Sequence, residues 1–497
     1  MYDLVVIGAG SGGLNVAGAA ATVGAKVALI EKTKPGGAGS IAACLPSKGL
    51  VQVAKLAHQA GRAARLGVGT GPVQIDFAAV MSHVRDVVAD FARGESVEVL
   101  RAKGIDVYHG SASFEAYDTV QVDLSTRISG HRFVIATGSR PAVPAIPGLT
   151  EAGCLDDHSL WSLATLPESL IVIGPEPRGI EFAQCFARLG TKVTLLTDSP
   201  RILPQEDPEA SELLTRLLTG EGLAIRTGVE VTKVEVRAGQ KVCTFRDAAS
   251  GLTGESAGAA ILLAAGRLAN VESLNLEAVG IHGDAHHGIE VDDYLQTHST
   301  RVYAIGDVLL RHPYTHVALR EAAVAFQNAV LRIKKKIDYT RLPRGTFVDP
   351  EVAAVGITEE QARAEQRPAR VYRVTFAEID RARIDGLTDG FAKVVTTPSG
   401  KILGATVVGE DAGMILQELV LAMERNLSLG DLAAAVPIYP TYAGVVRQLA
   451  DQHRATRLES SYVQTALKLF YGFLPRVAAG NGAAEPQTEP HVPAEHP

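Results

Sequence analysis

The stretch LVVIGAGSGGLNVAGAAATVGAKVALIEK, residues 4–32, constrains the fold more than any other part of the chain. It reads as a strand, a glycine-rich turn, a helix and a second strand. Gly8, Gly10 and Gly13 hold the G-x-G-x-x-G spacing. The first permits a tight turn, the second lets backbone approach a pyrophosphate, and the third lets helix pack on strand. The helix N-terminus then offers free N–H groups and a positive dipole end to phosphates. Glu31 closes the second strand, where a carboxylate accepts from ribose hydroxyls, with Lys32 beside it and Gly37 in the next turn. A second unit of the same grammar follows at SLIVIGPEPRGIEFAQCFARLGTKVTLLTD, residues 169–198.

A chain of 497 residues exceeds one hydrophobic core and predicts about three domains. The 49 glycines suit an α/β protein with many strand-to-helix turns. No apolar run reaches the length of a membrane span, and MYDLVVIGAG enters a strand with no signal-peptide pattern. Cys44, Cys154, Cys185 and Cys243 are widely spaced and show no metal-ligand pairing, so no metal is expected and the cytoplasm is the expected compartment. A net charge of −7 speaks against nucleic acid as a partner.

Two further strands end at the same sheet edge. HRFVIATGSRP delivers Ala136, Thr137 and Gly138, and TRVYAIGDV delivers Gly306 and Asp307. Such a pair suits a long two-part cofactor, which points to FAD rather than NAD at the first site. With AAGRLANVESLNLEAVGI (containing Gly266), GIEVDDYLQTHSTRVYAIGDV and TFVDPEVAAVGITEEQA, the chain resembles the pyridine nucleotide–disulfide oxidoreductase family from Tyr2 to about Arg454. Lipoamide dehydrogenase, glutathione reductase and mercuric reductase belong to that family.

The resemblance implies two doubly wound Rossmann-like nucleotide-binding domains plus an α+β C-terminal dimerisation domain. FAD binding would take residues 1–150 and 265–340, an NAD(P)-binding-like domain 151–264, and a homodimer interface 341–455. Asp307 would contact the ribityl–phosphate region, and Thr315 through Ala318 would open the helix beneath the isoalloxazine. Residues 456–497 leave the family pattern: SSYVQTALKLFYGFL predicts a short helix with Val463, Leu467 and Phe470 on one side, and the proline-rich end reads as disorder. That helix suits a membrane surface or a protein partner.

The redox stretch is GGAGSIAACLPSK. Family members carry two cysteines here, five positions apart; this chain has Cys44 at the flavin-side position and Gly39 at the exchange position. Dithiol exchange needs an attacking and a resolving sulfur. Cys44 stands at a predicted helix start near Lys48, which favours a thiolate, or it is a small packed hydrophobe. Lys48 would lie near flavin N5, with Glu181 matching the acid that pairs with it. The family's His–Glu acid–base dyad is replaced by Tyr439 and Gly444, and tyrosine is a poor base near neutral pH.

In the second fingerprint Gly174 and Gly179 hold the outer positions, and Glu176 replaces the middle glycine. A carboxylate there would crowd and repel a pyrophosphate; otherwise it points to solvent with a small backbone shift. Thr197-Asp198 ends the second strand, and Asp198 argues against a 2′-phosphate. NADH or NADPH either binds weakly or by another route, or has been lost. The reading is an FAD-dependent oxidoreductase passing electrons from NAD(P)H to a quinone-like or other small-molecule acceptor without a redox disulfide. The alternatives are a flavoprotein reduced by a protein or membrane donor, and a non-catalytic flavin-binding protein. The expected location is cytoplasmic or peripheral at a membrane. The group His282, His286 and His287 reads as surface histidines.

Overall fold

The computed structural model describes residues 1–471 apart from Leu124. Its first sheet has parallel strands in the spatial order Ile105–His109, Val27–Glu31, Tyr2–Ile7, Thr126–Ile135 and Val302–Ala304. Register pairs Val5 with Ala28 on one side and with Phe133 on the other. Both faces are covered, so these strands are continuous apolar runs rather than alternating ones, with Leu4–Val6, Val27–Leu29 and Phe133–Ile135 buried. The first half of Thr126–Ile135 leaves this sheet to pair antiparallel with Thr119–Val122. Helices Ser11–Thr22 and Thr315–Ala329 pack on one another closely enough that a Cβ at Gly12 would lie 3.3 Å from Ile305 Cδ1 and 3.4 Å from the Ala318 carbonyl.

A second parallel sheet runs in the order Ala224–Arg226, Lys192–Leu196, Ser169–Ile173, Ala260–Leu263. Helix Pro177–Arg188 connects the third of these to Lys192–Leu196, with proline in its first turn where no N–H is needed. An antiparallel trio, Val229–Arg237, Gln240–Asp247 and Thr253–Gly258, flanks this unit.

The C-terminal unit is a five-stranded antiparallel sheet, Pro343–Thr346, Glu351–Gly356, Ile402–Gly409, Phe391–Thr396, Arg370–Thr375. Helices Ala412–Glu424 and Gly444–Leu458 bury Leu416, Leu419, Val445 and Leu449 in its core. The architecture is therefore α/β, with two parallel Rossmann-like sheets followed by an α+β unit. The last described helix, Ser461–Tyr471, is the expected short helix; the spacing of Val463, Leu467 and Phe470 puts them on one side, the first two half-buried and Phe470 85% exposed. The proline-rich end expected to be disordered, residues 472–497, lies outside the described residues. Among the described residues no helix is long and apolar enough to cross a membrane.

One buried cation ties the second unit to the third. Lys393, on Phe391–Thr396, places Nζ 3.0 Å from Asp207 and 2.9 Å from Glu209. Asp207 also caps helix Pro208–Gly220 by accepting from the Glu209 N–H at 3.0 Å. Removing the cation leaves a buried carboxylate without a counter-charge. Lys393→Met is therefore expected to cost about 3–5 kcal/mol, read as a lower urea midpoint, with Asp207→Asn on the same background recovering part of the loss.

Candidate functional site

The first glycine turn is built from close backbone approaches. Gly8 has φ +102°, and a Cβ there would lie 2.3 Å from the Ala136 carbonyl oxygen. A Cβ on Gly13 would lie 2.0 Å from the Gly8 carbonyl, and one on Gly37, at φ +63°, would lie 2.5 Å from Gly10 Cα. Side chains are thus excluded where three segments meet. A Cβ on Gly10 would meet nothing nearer than Gly37 Cα at 3.8 Å, so the middle of the turn keeps free space above the N-terminus of Ser11–Thr22. Glu31 is engaged: Oε2 accepts from the Ala9 N–H and Oε1 from the Thr33 N–H and hydroxyl, each at 2.8 Å. It clamps the turn to the strand end, and Oε2 keeps a second lone pair. Lys32 is exposed.

At the neighbouring strand ends, Thr137 and Asn270 exchange two hydrogen bonds, 2.7 and 2.9 Å, before the left-handed Gly138. Asp307 accepts from the Ser139 hydroxyl at 3.0 Å, and Arg267, next to Gly266, donates to that hydroxyl at 2.6 Å. Gly306 turns at φ +76° with Ala318 packed beneath it, and its N–H donates to Glu321 at 2.5 Å.

Cys44 is the first residue of helix Cys44–Arg62. Its sulfur lies 3.1 Å from the hydroxyl of Thr315, the first residue of its own helix. A Cβ at Gly39 would lie 3.1 Å from the same Thr315 hydroxyl and 3.1 Å from Ser11 Oγ. The half-empty cysteine position therefore faces Cys44 across one threonine. All four cysteines are free. Lys48, one turn further along the helix, donates to Glu181 at 2.9 Å and stands 4.3 Å over the Phe347 ring. Glu181 is 2% exposed, and its other oxygen accepts the Phe347 N–H at 2.7 Å.

The second glycine turn repeats the first in its outer positions. A Cβ at Gly174, φ +119°, would lie 2.0 Å from the Ala264 carbonyl oxygen, and one at Gly179 would lie 2.4 Å from Ala264 Cβ. Glu176 does not point into open solvent: it is half-buried at the start of helix Pro177–Arg188. Burial pushes its carboxyl up, while nearby Arg178 and Arg267 pull the other way. The repulsion expected of a carboxylate here is weakened, because desolvation favours the neutral form. Arg267 and Arg178 both bind Asp157, the former at 2.9 Å. Asp198 is exposed beyond the end of Lys192–Leu196.

Tyr439 is not brought to Cys44 or Lys48 within the chain. Its hydroxyl donates to Asp380 at 3.0 Å, its ring is 78% exposed, and the hydrogen bond to Asp380 raises the phenol further from neutrality. The motifs did not reveal Phe347, Asp157, Arg178, Arg267, Ser139 or Glu321. Arg267, Ser139 and Arg178 left a sequence signal, each standing next to a motif glycine.

The whole pattern is a two-nucleotide flavoenzyme. Residues 2–329 match the pyridine nucleotide-disulphide oxidoreductase family and 342–450 its dimerisation domain, so the chain belongs to that family. It is similar to the mercuric reductase of Staphylococcus aureus, 34% identical over 443 residues covering 89% of this chain and 80% of that protein. It is also similar to the dihydrolipoyl dehydrogenase of Geobacillus stearothermophilus, 32% identical over 90% of this chain and 95% of that one. The solved HOCl-induced flavoprotein disulfide reductase RclA from Escherichia coli superposes with a TM-score of 0.79 at 27% identity, covering 90% of this chain and 99% of that one. Members of the family use FAD and NAD(P)H. The side-chain-free cradle at Gly10 and the free N–H groups of Ser11–Thr22 fit a dinucleotide pyrophosphate. The dimerisation domain supports a homodimer.

Glu321 gives the site a pH signature. Its oxygens hold the Gly306 N–H and the Tyr339 hydroxyl, yet burial pushes its carboxyl up to about 7. The folded state then keeps a proton that the unfolded chain releases above its ordinary 4.5. Stability from this group falls as pH rises from about 4.5 to about 7 and is level above. Glu321→Gln is expected to flatten that window, gaining up to about 3 kcal/mol on the wild type between pH 5 and pH 8 in paired urea titrations.

Proposed function

We propose that this chain is an FAD-dependent oxidoreductase that takes electrons from NADH and passes them to a small acceptor of quinone type, without a redox disulfide. The observation that carries the reading is Gly39: the position facing Cys44 across Thr315 has no sulfur. A mixed disulfide formed on Cys44 would have no resolving thiol there. Tyr439 supports the same reading, since a phenol raised by Asp380 is a poor proton acceptor for a thiol.

FAD, when bound, supplies the carrier that joins two-electron donation by a nicotinamide to reduction of an acceptor. The residues of the chain then have distinct work. Gly8, Gly10, Gly13 and Gly37 would admit the pyrophosphate to the N-terminus of Ser11–Thr22, with Glu31 and Lys32 at the ribose. Ala136, Thr137, Gly138, Gly306 and Asp307 would hold the ribityl side, and Thr315 and Ala318 would lie beneath the ring. Lys48 provides a cation whose place is set by Glu181 and Phe347 rather than by a flexible stem. Cys44 sits at the N-terminus of helix Cys44–Arg62, beside the Thr315 hydroxyl.

At the second turn Gly174, Gly179 and Gly266 would admit the nicotinamide nucleotide. Asp198 would accept from an adenine ribose and repel a 2′-phosphate, which favours NADH over NADPH. The charges of Arg178 and Arg267 oppose the repulsion that the Glu176 carboxyl would exert on a pyrophosphate.

Three experiments test this. Holoenzyme given NADH is expected to reduce menadione and to leave lipoamide and oxidised glutathione untouched; lipoamide turnover at a comparable rate would sink the proposal. Gly39→Cys should bring a second thiol to Cys44, seen as the loss of two titratable thiols on oxidation relative to the reduced variant. For the nucleotide, Glu176→Gln removes a like charge beside the fingerprint and is expected to tighten NADH binding severalfold over wild type in binding titrations at one pH.

A further inference from the structure

Three side chains outside the flavin and nucleotide sites converge on one point. His282, Glu290 and His298 place their ligand atoms within 4.8 Å of one another. The two imidazole rings lie 4.2 Å apart between centroids, and His282 Nδ1 is 3.8 Å from a Glu290 carboxylate oxygen. Those separations are too long for hydrogen bonds. Among the described residues no side-chain hydrogen bond is made by His282, Glu290 or His298, so their donor atoms are uncommitted. We propose that His282, Glu290 and His298 form a surface site for a borderline divalent transition ion of the zinc class.

The backbone presents these ligands on braced structure. Gly283–Asp284 and Gly288–Ile289 form a short antiparallel hairpin, with Gly283 opposite Ile289. His282 and Glu290 are the next pair outward, joined by a Glu290 N–H to His282 carbonyl bond of 3.1 Å. Their side chains therefore stand on one face of the ribbon. The third ligand follows Thr297, a buried residue whose hydroxyl donates to the Val302 carbonyl at 3.0 Å and accepts from the Ser299 N–H. His298 is thereby held at the tip of a pinned turn.

The chemistry selects the ion class. Two imidazoles and one carboxylate suit zinc, copper(II) or nickel rather than calcium or magnesium, which demand oxygen ligands. Bonds of about 2.0–2.1 Å place two ligands of one ion about 3–4 Å apart, so a small rotation of exposed side chains closes the site. Three protein ligands leave at least one position for water or another small ligand. The neighbouring histidines are differently employed: His287 Nδ1 is bound to Asp284 at 2.8 Å, and the His286 N–H donates to the same carboxylate. The histidine group in the sequence is thus two structures, and the ligand set draws on His298, sixteen residues beyond His282.

The hairpin also abuts the turn that carries Asp307. Gly288 lies so close to it that a Cβ there would sit 2.7 Å from the Val308 carbonyl oxygen. An ion that braces the hairpin therefore braces that turn.

The test is equilibrium dialysis of the chelator-treated, FAD-loaded full chain against zinc, with metal counted against flavin. Wild type is expected to bind one more zinc per chain than His282→Ala/His298→Ala, whose residual affinity at this site falls roughly tenfold or more. Glu290→Gln should weaken binding, and His287→Ala should leave it unchanged. Flavin content confirms that each variant is folded. Equal zinc stoichiometry and affinity in wild type and the double histidine variant would overturn the proposal, as would loss of the zinc with His287→Ala alone.

Discussion

One buried carboxylate joins three distant stretches of the chain. Glu181 takes the Lys48 ammonium on one oxygen and the Phe347 N–H on the other. Its partners come from the helix that begins at Cys44 and from the entry to the C-terminal sheet. A charge this deep is tolerable only with such partners, since an isolated buried carboxylate would cost several kcal/mol. The pair therefore fixes more than a lysine rotamer: it sets where helix Cys44–Arg62 sits against helix Pro177–Arg188. Phe347 closes the arrangement by offering its ring face to the same ammonium.

The two glycine turns show how one backbone solution is reused and modified. In both, the first glycine faces the carbonyl of the residue just past a neighbouring parallel strand, Ala136 in one and Ala264 in the other. No side chain fits either place. The middle position differs: Gly10 leaves free space, whereas Glu176 places a carboxyl beside Arg178 and Arg267. The arginines and Asp157 form a polar seam that continues through Ser139 to Asp307. The altered fingerprint is thus embedded in a network reaching the first nucleotide site. A change there alters desolvation and charge balance together.

Legibility followed range. Gly8, Gly13, Gly174 and Gly179 were readable because turn sterics act over a few residues and leave a fixed spacing. The pairing of Lys48 with Glu181 was reached only through family resemblance, since nothing local ties positions 133 apart in the chain. Glu31 was read as a ribose acceptor, and the structure adds that it first clamps Ala9 and Thr33. Phe470 was placed on the apolar side of the last helix by periodicity, yet periodicity does not say whether a face finds a neighbour, and this ring is exposed. The histidine group reads as surface histidines and all three are exposed, but only hairpin register shows that His282 stands apart from His287.

The sequence by itself determined the strand–turn–helix units, the family, and the absence of sulfur at position 39. Each follows from residue identity at short spacing. Only the tertiary structure decided that Gly39 faces Cys44 across Thr315, that Glu176 is drawn toward arginines, and that Glu321 is buried against Gly306. Those properties depend on solvent exclusion and on contacts between distant segments. Neither burial nor a long-range contact is encoded in any local window; both arise when the sheets and helices pack.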